Sequence, residues 1–183
     1  MDWNPLLRDQ VEFQWSSFRP RLDDLTDEQY FWEPAPGCWS VRPRAEATSP
    51  MAAGAGEMVI DFAFPPPDPP PLTTIAWRLE HIIVGVLAMR VAGHFGGPAI
   101  DYTTRRYAAT AREAVADLDE AYAAWTAGVR ELGEAGLARP CGPSEGPYAE
   151  EPMAVLVLHI HRELLHHGAE IALLLDLHRA RSG

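Results

Sequence analysis

LVLHIHRELLHHGAEIALLLDL, the run from Leu156 to Leu177, packs four histidines and two glutamates into one amphipathic segment. At about 100° per residue, an α-helix puts Leu156, Ile160, Leu164, His167, Ile171 and Leu174 on one stripe, so His167 is expected to face inward. Glu163 lies one turn earlier on the edge of that stripe, and the two side chains form an i, i+4 pair. Turning a carboxylate toward a core costs roughly several kcal/mol unless a cation or strong donors sit beside it. A divalent metal meets that need. Its third ligand has to come from another helix, and His81 is the candidate. The alternative for His81, Glu163 and His167 is a buried hydrogen-bonded triad with a structural role.

His81 belongs to the stretch TTIAWRLEHII, where Thr73 and Thr74 cap a second helix expected from about Ile75 to His94. Around His81 that helix presents Trp77, Val84, Gly85, Ala88, Ala92 and Phe95. Most of these are small, which suits either close helix packing or a pocket. Helix one is expected from Pro5 to about Leu25, with Asn4 as cap and Pro5 in the first turn. Thr26, Asp27 and Glu28 open a short helical turn that Pro34 stops. Helix three runs from about Thr110 to Leu132. Glu150, Glu151 and Pro152 begin helix four, the segment already described.

Between Glu33 and Leu72 stand ten prolines, culminating in PPPDPPP at Pro65 to Pro71. Regular helix is excluded there. A stiff connector leading into helix two is a better reading of the run than a ligand for a proline-recognition domain. MVIDFAF, Met58 to Phe64, is an extended piece within this loop. A second loop, Ala138 to Ala149, folds over one end. Four long amphipathic segments predict an all-α four-helix bundle, one domain over residues 1–183, with the proline-rich loop between helices one and two.

The 15 basic and 26 acidic residues give a formal charge of -11, with no basic run, which argues against nucleic acid and anionic membranes as partners. The N-terminus MDWNPLLRDQ lacks a secretory pattern. No stretch is long and charge-free enough to span a bilayer, so a cytoplasmic location is expected. Cys38 and Cys141 sit in loops outside any CxxC motif and are expected as idle thiols.

The helix-two histidine shortly after a tryptophan (TTIAWRLEHII) and the C-terminal HHGAEI together resemble the DinB-like superfamily of four-helix bundles. CWSVRP, Cys38 to Pro43, is similar to a segment that precedes helix two in many members. The resemblance spans about Trp39 to Leu177 plus helix one. It implies a metal held by one histidine of helix two and two histidines spaced i, i+4 on helix four. Mapped residue by residue, the first is His81 and the last His167, while the remaining position holds Glu163. Two histidines and a carboxylate suit zinc or non-haem iron, and nickel is a further option.

The resemblance also implies a thiol-dependent transferase or isomerase, in which the metal ionises a low-molecular-weight thiol. A metal hydrolase, with Glu170 or His166 as base, is a second class. A non-catalytic bundle binding a small ligand or partner is a third. His166 is also placed to pair with Glu170 in a solvated contact. His159 is either a partner of Glu163 or a satisfied interior residue, and His161 and His178 are expected on the surface. Trp39 and Trp77 line a substrate pocket or belong to the core. A homodimer is expected.

Overall fold

The computed structural model describes residues 3–182, which form six α-helices and one small two-stranded sheet. Helix α1 (Asn4–Phe18) passes into a 3₁₀ turn, Arg19–Leu22. Asn4 does not cap it. Trp3 holds the cap position, while Asn4 is buried and donates from Nδ2 to the Val129 carbonyl at 2.8 Å. A buried amide finds its partner across the interface rather than along its own helix. Helix α2 (Asp27–Phe31) starts with a complete capping box between Thr26 and Gln29.

The sequence around CWSVRP and MVIDFAF makes strands β1 (Val41–Pro43) and β2 (Met58–Ile60), antiparallel with Val41 opposite Ile60. Buried Asp61 knots this region. Its carboxylate accepts from Arg42 Nε at 2.7 Å and from the Ser40 N–H at 3.1 Å, and its carbonyl accepts from Trp77 Nε1 at 2.8 Å. The long loop is therefore anchored to the next helix. Residues 65–71 belong to no helix or strand.

Thr74 caps α3 (Ile75–His81) by accepting from the Trp77 N–H. The helical rod continues through a π-helical segment, Ile82–Ala88, into α4 (Met89–His94). Sequence periodicity anticipates one rod but not its change of pitch. A π turn shifts the facing side chains and often marks a functional site. Thr110 caps α5 (Ala111–Ala138), which extends beyond the expected Leu132 through a break at Gly133, whose φ is 58°. Helix α6 (Met153–Ser182) contains the histidine-rich run Leu156 to Leu177.

Helix α6 packs against α1, α3, the π segment and α5. Leu79, Ile82, Leu87, Leu118 and Trp125 belong to the same buried core cluster as Ile160 and Ile171 of α6. With so many elements around it, α6 buries more than one stripe. His161, expected at the surface, is 1% exposed, and burial pushes its pKa down to about 4. His178 is half-buried against the Trp32 ring. Cys38 and Cys141 are free and buried, as expected. Among the described residues no helix is long and apolar enough to cross a membrane.

Candidate functional site

His81 ends α3 where the π segment begins, and His167 faces it from the middle of α6. Their rings lie 4.8 Å apart between centroids and almost perpendicular, at 85°. Glu163, one turn earlier on α6, brings Oε2 to 3.4 Å from His167 Nε2. The three residues singled out by the sequence thus line one helix–helix seam, with His167 contacting each of the other two.

Each imidazole is held through Nδ1. For His81 the partner is the Tyr102 hydroxyl at 2.7 Å, and for His167 it is Glu170 Oε2, also at 2.7 Å. Fixing one ring nitrogen orients the other, and a carboxylate on the outer nitrogen makes an imidazole a better ligand. With the His167 Nδ1 proton donated to Glu170, the Nε2 lone pair faces the Glu163 carboxylate. In that tautomer two acceptors face each other, an arrangement that a shared cation would stabilise. Two imidazoles and a carboxylate are donor types suited to zinc or ferrous iron, although this triad is not the group whose ligand atoms converge within 4.8 Å of one another among the described residues.

The electrostatics favour neutral imidazoles. Burial, then His167 and Arg78, lower the His81 pKa to about 3. Burial also lowers that of His167, with the Glu170 hydrogen bond partly offsetting it. Arg78 Nε stands 3.0 Å from Glu170 Oε2, and its guanidinium lies over Trp77, 5.2 Å from the ring centroid. Trp77 in turn stacks on His81 at 5.2 Å, with Trp39 6.0 Å beyond.

A second donor group shares His167. One ligand atom each from His166, His167 and Glu170 fall within 4.8 Å of one another. His166 is exposed, and its Nε2 stands 3.4 Å from Glu170 Oε1, the solvated contact expected from sequence. Glu170 is already balanced by Arg78. On the other side, His159 Nδ1 lies 3.6 Å from Glu163 Oε1, and Arg162 Nε lies 3.5 Å from the same oxygen. Glu163 therefore has Arg162 and His159 beside it on its own helix as well as His167 at the seam.

Sequence reasoning missed Tyr102 and Arg78. Tyr102 comes from the loop after α4, which is held by buried Glu80. Glu80 accepts from Arg105 Nε at 3.0 Å and from the Ala108 N–H at 3.0 Å, and Arg105 also pairs with Asp117. Only the tight turn of Asp101–Tyr102–Thr103–Thr104, where the Asp101 carboxylate accepts from the N–H groups of Thr103 and Thr104, carries a local signature. That signature gives the turn, not its partner across the seam. Arg78 is one ordinary helix position in sequence.

The DinB superfamily model matches residues 10–171 of the chain. No curated protein and no solved structure matches it.

Proposed function

The chain belongs to the DinB superfamily, and from that premise we propose a metal-dependent enzyme that transfers a low-molecular-weight thiol to an electrophile, with His81, Glu163 and His167 as ligands of a zinc, nickel or iron ion. The observation that carries this reading is that both imidazoles have Nδ1 engaged, by Tyr102 and Glu170, which leaves Nε2 of each for a shared cation. In the same reading the four long helical segments form the superfamily's four-helix bundle, in one cytoplasmic domain that pairs as a homodimer.

When bound, the ion supplies positive charge that keeps a thiol at its open position ionised near neutral pH. The chain's residues prepare that position. His81 stays unprotonated because it is buried beside His167 and Arg78. Tyr102 sets its ring orientation, and Glu170 does the same for His167. Arg78 balances Glu170, and Glu163, whose Oε1 faces Arg162 and His159, would offer its Oε2 side to the ion. Trp77, stacked on His81, and Trp39 behind it restrict water on that side.

The hydrolase reading is weaker because it needs a free base. Glu170 is engaged by Arg78 and His167, and His166 points into solvent.

The test is elemental analysis of untagged protein purified without chelator, together with consumption of a thiol in the presence of an aryl halide. One equivalent of metal and metal-dependent thiol consumption are expected, both lost in His81→Ala and Glu163→Gln. No metal uptake on titration would leave the triad as a structural hydrogen-bonded cluster. Ester turnover without thiol would move the chain to the hydrolase class.

A further inference from the structure

A cavity of about 510 Å³ opens beside the candidate centre, between α4, the loop of residues 141–151 and the first turns of α6. It falls in the size range of pockets that take small organic ligands, roughly 300–1,000 Å³. The grooves at Val11–Ala172 and Ile83–Ala124 measure about 190 and 210 Å³ and fall short of that range.

One wall is apolar and wet. Tyr148, Val155 and Leu158 line the cavity and are 67%, 45% and 50% exposed. Large apolar side chains left in contact with water inside a concavity indicate a surface that a ligand body covers. The lining of the cavity also carries Arg90, His159 and Arg162. Glu145 also lines it, but its carboxylate is buried and bonded to His94 Nε2 at 2.8 Å, with Arg90 Nε at 3.2 Å from the same oxygen. That Arg90 nitrogen is buried and makes no well-formed hydrogen bond. Arg162 is exposed and touches His159. Glu145 is thus committed to the protein, and Arg90 and Arg162 each face a protein carboxylate through Nε, so a ligand carboxylate would be met by their terminal nitrogens.

His159 links this cavity to the centre. It lines the cavity, its Nδ1 reaches Glu163 Oε1 at 3.6 Å, and Glu163 Oε2 lies 3.4 Å from His167 Nε2. A residue of the cavity lining, His159, therefore contacts one of the candidate ligands, Glu163.

We propose that this cavity binds the electrophilic substrate of the reaction, and that this substrate is an organic monocarboxylate: its apolar body lies on Tyr148, Val155 and Leu158, and its carboxylate is held by Arg90 and Arg162. The planar fork of arginine matches a carboxylate. Glu145 and Glu151 in the lining and the chain's charge of -11 disfavour a polyanion such as a nucleotide. The assignment of the occupant as substrate rests on the metal-centre reading above. The binding chemistry of the cavity is independent of it.

Isothermal titration with phenylbutyrate and with its neutral isostere phenylbutanamide separates the two. The acid is expected to bind at least tenfold more tightly than the amide. Arg162→Gln, at a side chain 69% exposed, should reduce acid binding about tenfold and leave amide binding unchanged. Leu158→Glu should abolish both, with the circular dichroism of the variants unaltered. His81→Ala, which removes a proposed metal ligand, should bind phenylbutyrate as the native chain does, so loss of metal and loss of the pocket are read separately. Equal affinity for acid and amide, no binding of either, or acid binding indifferent to Arg162→Gln and Leu158→Glu would overturn the proposal. So would acid binding lost in His81→Ala, which would put the ligand on the centre itself.

Discussion

The Tyr102 hydroxyl reaches Nδ1 of His81 at 2.7 Å across a gap that Gly85 leaves open. A Cβ on Gly85 would collide with that hydroxyl and come within 3.3 Å of the same His81 nitrogen. The glycine lies in the π segment, which starts one residue after His81. The wider turn, the missing side chain and the tyrosine therefore act together on one ring nitrogen.

Tyr102→Phe is expected to weaken zinc binding about tenfold, the lower end of what loss of an outer hydrogen-bond partner costs. Gly85→Ala should do the same by displacing the hydroxyl. Their effects should not add, because both remove one bond. Titration against a competing chelator measures this. Native affinity in Tyr102→Phe would show that the hydroxyl does not tune His81.

Glu170 and His166 separate the two donor groups that share His167. Glu170→Gln keeps the shape but weakens the charge on His167 Nδ1 and leaves Arg78 without its 3.0 Å partner, so metal affinity should again fall about tenfold. His166, 63% exposed in its side chain, should be replaceable by alanine with metal content unchanged and stability within about 0.5 kcal/mol. Metal lost in His166→Ala and retained in Glu163→Gln would instead select the group formed by His166, His167 and Glu170.

The chain's helices were legible because caps and periodicity agree. Thr74 and Thr110 both accept at the expected N-termini, and Leu156, Ile160, His167 and Ile171 are all buried on α6. The π segment was not legible, since Ile82 to Leu87 is apolar enough to bury either helical register. Asn4 looked like a cap because local sequence cannot show the Val129 carbonyl opposite it. His161 looked exposed because one stripe was assumed where several elements cover α6. For the candidate site, the spacing of Glu163 and His167 was readable, while Tyr102 and Arg78 reach it only through the fold.

Asp61 should govern the acid limb of stability. Burial pushes its carboxyl up, but the Arg42 hydrogen bond and the Ser40 N–H outweigh that, so its pKa lies below the usual carboxylate value. A depressed folded pKa contributes stability that is present above the unfolded value and lost as pH falls through the folded one. Urea melts from neutral pH downward should show native stability falling across that window. Asp61→Asn should be less stable at neutral pH by about 1–3 kcal/mol and show a flatter acid limb. A parallel pH profile in the variant would assign the acid sensitivity to other carboxylates.

His161 makes the opposite case, a polar group whose removal should help. It is buried, neither ring nitrogen has a hydrogen-bond partner among the described residues, and it stands edge-on to Trp125 at 6.3 Å. The Trp125 Nε1 is likewise buried without a partner among the described residues. An unmet polar group in a core costs about 1–3 kcal/mol, and leucine is close enough in size to fill the space without that cost. His161→Leu is therefore expected to stabilise the protein by about 1 kcal/mol, seen as a higher urea midpoint at unchanged m value. Destabilisation of similar size would mean that His161 and Trp125 share an internal water, whose loss the leucine cannot replace.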